Sequence, residues 1–68
     1  MKITYDDKED ILRIGFSGRP IIRDVSQGWN VNIGYAANGI AEITILDARA
    51  SGAWPVELVN SKPASADR

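Results

Sequence analysis

Hydrophobic and polar residues alternate without a break over residues 29–35, and this alternation predicts a half-buried β-strand. Tryptophan, valine, isoleucine and tyrosine occupy the odd positions, whereas asparagine or glycine occupies the even ones. Alternate side chains of a strand point to opposite faces of a sheet, so the odd positions would face a core. The Ala-Ala-Asn-Gly segment that follows (residues 36–39) predicts a turn, because Asn and Gly tolerate positive φ angles. Residues 40–46 are rich in β-branched side chains, and the two runs together predict a β-hairpin.

The register of this hairpin depends on whether it contains a bulge. Direct pairing would place Ile33 opposite Glu42, whereas one extra residue near Gly39 and Ile40 would place Ile33 opposite Ile43. A slip of one residue moves every side chain of a strand to the other face of the sheet. Only the bulged register keeps the apolar residues together, and we therefore predict it.

Three further strands are predicted at residues 2–5, 10–16 and 21–25, separated by charged turns or by turns with Gly and Pro. Residues 54–59 predict a short helical turn, because Pro55 suits the first position of a helix. The fold class that follows is mainly β, a small antiparallel β-meander of about five strands with a short C-terminal helical turn. We expect residues 1–60 to form a single small β domain and the small, polar residues 61–68 to form a flexible C-terminal tail.

The length of the chain limits the stability that one domain can reach. A single core in a chain of 68 residues rarely supplies more than about 3–5 kcal/mol. There is no cysteine, so disulfides cannot compensate for the small core. The remaining remedies are good packing within the chain or burial of further apolar area between subunits; we favour the second and predict a homodimer.

Composition excludes most kinds of site chemistry. The chain has no cysteine, which removes thiolate metal ligands. It also has no histidine, which removes the commonest transition-metal ligand and the commonest general base near neutral pH. Most of the acidic residues fall in predicted turns or at strand ends, where no pocket would desolvate them. We therefore predict no catalytic, metal-binding or cofactor-binding residue, no cofactor, and a protein that is not an enzyme.

The charge balance and hydropathy bear on partners and location. A net charge of −1 argues against a general nucleic-acid binder, whose affinity rests on a basic surface. The N-terminus lacks the apolar segment of a secretory signal, and no apolar run is long enough to span a membrane. We expect a cytoplasmic protein with no membrane contact.

Two segments of the chain are distinctive, Lys-Ile-Thr-Tyr-Asp (residues 2–6) and Ile-Thr-Ile-Leu-Asp-Ala (residues 43–48). The first resembles the opening, and the second the close, of a family of short prokaryotic proteins, the domain of unknown function 2283. The resemblance covers about residues 1–50 and is loosest between residues 19 and 29. It implies a small antiparallel sheet, often followed by a short C-terminal helix, and no established activity. It also implies an antitoxin-like member of a bacterial gene pair, because such genes are often seen beside genes for small putative toxins.

Several apolar residues are candidates for an interaction surface. In the bulged register, Ile40 and Leu46 lie with Ile11 on the far face of the sheet and form a second apolar patch. Others belong to the predicted helical turn, where a large aromatic residue would cover a subunit contact. The candidates are Ile11, Ile40, Leu46, Trp54 and Leu58.

One aspartate and three arginines are candidate polar contacts. The carboxylate of Asp47 would cap the backbone amides of the turn that follows it, or alternatively form an ion pair with Arg49 or with an arginine of a partner. Arg13 and Arg23 would form a strip on one sheet face if their strands are neighbours, with aromatic residues nearby to stack on bases. The alternative is that these arginines belong to an ordinary solvated face.

Two functions remain open on the sequence alone. The first is a self-associating protein-interaction module, with itself and a second small protein as the candidate partners. The second is a small nucleic-acid-binding regulator that uses the strip of arginines. Binding through arginine–phosphate contacts weakens steeply with added salt, whereas an apolar protein interface changes little, so salt dependence separates the two.

Overall fold

The fold was analysed in a computed structural model, which describes residues 1–60. Five antiparallel strands form one sheet, and this confirms the predicted fold class. The predicted tail at residues 61–68 lies outside the described residues. The strands are β1 (Lys2–Asp6), β2 (Ile11–Gly15), β3 (Arg23–Gln27), β4 (Val31–Ala36) and β5 (Gly39–Leu46).

The strand order is β1-β2-β5-β4-β3, which differs from the sequential order of a simple meander. The last strand, β5, lies at the centre, between β2 and β4. It is the longest strand and contains three isoleucines and a threonine, and such β-branched residues pack well on a pleated surface with neighbours on both sides. The sheet therefore consists of a hairpin, β1–β2, joined along β5 to a three-stranded meander, β3–β4–β5.

The bulged register of the central hairpin is confirmed. Ile33 pairs with Ile43 and Val31 pairs with Ile45, as the apolar pattern requires. The register shifts between Gly34 and Tyr35, so that one residue of β5, Ala41, has no counterpart on β4. The bulge thus lies one residue beyond the predicted position and keeps the isoleucines on one face.

The registers of the four strand pairs divide the side chains between two distinct faces. One face, here called the aliphatic face, carries two rows of residues that run across neighbouring strands. The first row is Ile3, Ile14, Ile43, Ile33 and Val25, and the second is Tyr5, Leu12, Ile45 and Val31. The opposite face, here called the polar face, carries a row of different character, namely Thr4, Arg13, Thr44, Asn32 and Ser26.

The connection from β2 to β3 explains why the third strand begins two residues later than predicted. This segment passes from one side of β5 to the far side of β4, and the N–H of Ile22 donates to the carbonyl of Tyr35 at 2.8 Å. The side chain of Ile21 lies against Gly34, where an added Cβ would be 2.9 Å from the Ile21 Cδ1 atom. Ile21 therefore packs over the sheet instead of pairing within it, and Gly34 leaves the space that it needs.

The prediction of a helical turn at residues 54–59 is wrong. Residues 54–60 have no regular secondary structure, and no helix capable of spanning a membrane occurs anywhere in residues 1–60. One or two helical turns are unstable without packing, and Trp54 packs here as a single side chain against Tyr5. The prediction rested on Pro55, which lies within the segment itself. The conformation of the segment depends instead on the contact of Trp54 with Tyr5 in β1.

The fully enclosed part of the described structure is small. Its buried apolar residues are Leu12, Ala36, Ala41 and Ala48, of which Leu12, at 1% exposure, is the only large one. The other apolar residues of the aliphatic face are half-buried. A single-layer sheet encloses little apolar volume, and this sheet leaves most of its aliphatic face within reach of solvent.

Candidate interaction surfaces

The aliphatic face is the most extensive apolar surface of the sheet. Its first row crosses all five strands without interruption, from Ile3 on one edge to Val25 on the other. Neither of the two rows defined above contains a charged residue. At one end of the face, the guanidinium carbon of Arg23 lies 4.9 Å from the centre of the Tyr35 ring.

At the other end of the face, the segment after β5 is fastened to the first hairpin through Asp10. The Asp10 carboxylate accepts hydrogen bonds from the Tyr5 hydroxyl at 2.7 Å, from the Arg49 amide at 2.7 Å and from the Ala50 amide at 3.3 Å. The Asp10 carbonyl also accepts from the Ala48 amide at 3.0 Å. One residue thus joins β1, the β1–β2 turn and the turn that follows β5.

Trp54 completes this end of the aliphatic face by stacking on Tyr5. The two ring centres are 4.4 Å apart and the ring planes differ by 9°. The Arg49 guanidinium carbon lies 5.3 Å from the centre of the Tyr5 ring, and the same side chain forms an exposed ion pair with Asp7 at 3.2 Å. Tyr5 is therefore held by aromatic stacking, a cation and a hydrogen bond.

These contacts shift two ionisation equilibria. The amide hydrogen bond from Arg49, supported by the Tyr5 hydroxyl, lowers the pKa of the Asp10 carboxyl. Desolvation of its hydroxyl and the hydrogen bond to Asp10 raise the pKa of Tyr5. An aspartate is already ionised and a tyrosine already protonated at neutral pH, which is the state that the hydrogen bond between them requires, and both pKa shifts widen the pH range over which that state persists.

Asp10 is expected to contribute to acid unfolding. Its lowered pKa means that its stabilising effect is complete above about pH 4, the ordinary range of an unfolded aspartate, and is lost as the pH falls through the folded-state pKa. Asp10→Asn should therefore be less stable than the wild type at neutral pH, and its stability should fall less steeply in acid. Urea unfolding midpoints at about pH 7 and about pH 3 test this linkage. Asp7→Asn, which removes only the exposed ion pair, is the control, and equal slopes for Asp10→Asn and the wild type would contradict the assignment.

The structure gives Asp10 the capping role that the sequence predicted for Asp47. The amides of Arg49 and Ala50 bond to the Asp10 carboxylate, and the Arg49 side chain pairs with Asp7. Asp47 contributes its backbone, with a φ of 51° and a carbonyl that accepts from the Ser51 amide at 2.9 Å. Asp10 lies 39 residues before Arg49 in the chain, so no local spacing could have identified it.

The five candidate interaction residues do not form one patch. Ile11 and Leu46 are direct cross-strand partners on the polar face. Ile40 lies near the opposite end of β5, where it pairs with Tyr35 across the bulge, so the prediction that it shares a patch with Leu46 is wrong. Trp54 covers Tyr5 beside the aliphatic face, and Leu58 is 79% exposed in the segment after it.

The predicted strip of arginines does not form. Arg13 is on β2 and Arg23 is on β3, and two strands separate them in the sheet. Arg13 belongs to the polar face, whereas Arg23 pairs with Tyr35 and lies over its ring. Arg49 is in the turn beside Asp7. The three guanidinium groups therefore present no common surface to a phosphate backbone.

A groove on the polar face was missed by the sequence analysis. Trp29 was predicted to face the core with Val31, but it lies in the turn before β4 and is 72% exposed. The groove has a volume of about 200 Å³, and the residues that line it are Trp29, Ser26, Asn30, Val31, Asn32, Thr44 and Leu46. Alternation predicted the direction of Trp29 wrongly because the strand begins only at Val31.

Within residues 1–60, no three acidic, histidine or cysteine side chains are grouped so as to hold a metal ion. A family model described as "Protein of unknown function (DUF2283)" matches residues 2–49. No curated protein and no solved structure matches the chain.

Proposed function

Because the chain belongs to the DUF2283 family, for which no function is described, we propose from its structure that it is a non-enzymatic protein-interaction module that works as a homodimer. The observation that carries the proposal is the uninterrupted aliphatic face, with its half-buried side chains on a one-layer sheet. We propose that two copies pack these faces together.

The first argument is the balance between core and exposed apolar surface. The described structure fully buries one large apolar side chain, Leu12, while most of the two aliphatic rows stays half-buried. Sheets are stable when one apolar face is covered by a second layer. Within residues 1–60, the structure places no such layer across Ile43 and Ile33 at the middle of the face, and a second sheet would supply it.

The second argument is area. Five strands spaced about 4.8 Å apart and about five residues long cover roughly 24 by 17 Å. Two such faces with their side-chain relief would bury on the order of 1,000 Å² in total, which reaches the size expected of a specific interface. Sheets packed in this way lie about 10 Å apart with their strands about 30° from parallel.

The third argument is that the face is compatible with itself. A two-fold axis brings the residues at the centre of the interface close to their own copies, so a charge at the centre would meet a like charge. The centre of this face contains Ile43, Ile33 and Ile45. Arg23 lies at one end, beside Tyr35, where it can remain solvated.

Substitution of Ile43 by glutamate is expected to convert the dimer to a monomer. Wild-type protein at tens of micromolar should sediment at twice the chain mass of 7.4 kDa, and Ile43→Glu should sediment at the chain mass. The matched control is Thr44→Glu, which adds the same side chain one residue later, on the polar face opposite Arg13. Circular dichroism would verify that both variants are folded.

A second variant keeps the test valid if Ile43→Glu fails to fold. Ile33→Thr retains a β-branched side chain and should raise the dimer dissociation constant by about tenfold or more through lost apolar burial. A wild-type chain that stays monomeric would overturn the proposal, as would dissociation by Thr44→Glu to the same extent as by Ile43→Glu. The antitoxin-like role stays a prediction from the family resemblance. It would require a second protein to bind the outer, polar faces of the dimer or to replace one copy.

A further inference from the structure

We infer that the groove beside Trp29 is a binding subsite for one neutral sugar ring of an oligosaccharide. A sugar ring has an apolar face of C–H groups and an edge of hydroxyl groups. The groove combines the two matching surfaces, an indole that is 72% exposed and a group of uncharged hydrogen-bonding side chains.

The polar side chains of the groove can both donate and accept. The amides of Asn30 and Asn32 and the hydroxyls of Ser26 and Thr44 supply both kinds of group. The Asn32 amide is fixed by donating one N–H to Asp24 at 3.0 Å, which leaves its carbonyl oxygen and its other N–H as further hydrogen-bonding groups. A ligand with several hydroxyls matches such a surface better than one with only acceptors.

The chemistry of the groove disfavours the other ligands that stack on tryptophan. Neither lysine nor arginine is among the lining residues, and Arg13, the cross-strand partner of Thr44, is the one cation in the row of the polar face that borders the groove, so a nucleotide phosphate would find little positive charge there. The volume of about 200 Å³ is below that of pockets which enclose a drug-sized ligand, so we expect one ring to be bound at a shallow surface. Leu46 adds an apolar side chain to the lining of the groove.

The position of the groove makes this inference independent of the proposed homodimer. The groove is on the polar face, whereas the dimer would bury the aliphatic face. A monomer would carry the same subsite, and a dimer would carry two that face outwards. A long oligosaccharide that reached both would bind the dimer more tightly than the monomer.

The test is a titration of the ¹⁵N-labelled full chain with maltotriose, cellotriose and chitotriose, followed by NMR. At least one of these neutral sugars should shift the Trp29 indole signal and the Asn32 side-chain amide signal, with a dissociation constant of about 1 mM. Trp29→Ala should weaken this binding by about tenfold or more. Because Trp29 is exposed, this substitution should leave the stability of the fold nearly unchanged. Trp54→Phe, which alters the other tryptophan, should bind like the wild type.

Three outcomes would overturn the inference. The first is that none of the three sugars shifts the Trp29 indole signal with a dissociation constant below about 10 mM. The second is that a sugar binds equally well to Trp29→Ala. The third is that an oligothymidylate of similar length shifts the same signals at lower concentration, which would identify the groove as a base-stacking site.

Discussion

Replacement of Leu12 by alanine is expected to unfold most of the protein in its monomeric form. Among the residues that the structure describes, Leu12 is the one large side chain that is fully enclosed, at 1% exposure, and such truncations typically destabilise a protein by about 2–5 kcal/mol. This loss equals most of the roughly 3–5 kcal/mol that a core of this size supplies. Urea unfolding of Leu12→Ala, compared with the wild type at equal concentration, measures the change in the free energy of unfolding.

The control for Leu12→Ala is the truncation of an exposed aliphatic residue. Ile22 is 70% exposed in the connection between β2 and β3, so Ile22→Ala should change stability by no more than about 0.5 kcal/mol. A loss below about 1 kcal/mol for Leu12→Ala would mean that its surroundings collapse onto the smaller side chain, which a well-packed interior does not allow.

Enlargement of Ala48 is expected to produce the second large loss of stability. Ala48 is completely buried, and its backbone is fixed because its amide donates to Asp10 while its carbonyl accepts from the amides of Ala53 and Trp54. The turn therefore cannot move outwards to make room, and Ala48→Leu should lower the free energy of unfolding by about 1–3 kcal/mol. The measurement is again the urea midpoint with an unchanged denaturant slope.

Ala50→Leu is the matched control, because Ala50 is exposed in the same turn and also bonds through its amide to Asp10. The added side chain would point into solvent, so the midpoint should stay close to that of the wild type. Equal stabilities of Ala48→Leu and Ala50→Leu would show that the turn is not fixed by its hydrogen bonds.

The features that sequence predicted correctly depend on neighbouring residues or on a choice between two registers. The hairpin of β4 and β5 follows from alternation and a glycine turn, and its bulge follows because only that register brings Ile33 opposite Ile43. Alternation states which residues share a face of a strand, but it does not state which strands are neighbours. The central position of β5 was therefore not predicted, nor was the separation of Arg13 from Arg23.

The candidate site was predicted less well because its contacts are distant in sequence or lie at the ends of strands. Asp10 accepts a hydrogen bond from Arg49, 39 residues later in the chain, and Trp54 stacks on Tyr5, which lies near the other end of the described chain. Trp29 continues the alternation of β4 by one step, but the chain at that position is already a turn. A periodic pattern contains no information on where pairing stops, which is why the polar groove was missed.

The central position of β5 has a consequence for the order of folding. The β1–β2 hairpin and the β3–β4–β5 meander are both built from strands adjacent in sequence, so each can form by closing short loops. Pairing of Ile14 with Ile43 joins the two units across a much longer stretch of chain, and loop-closure entropy opposes that step most strongly. Until it occurs, the edge of β5 is an unpaired apolar strand, the kind of edge that pairs with other chains. The same strand that completes the sheet is thus the point at which slow folding would lead to aggregation.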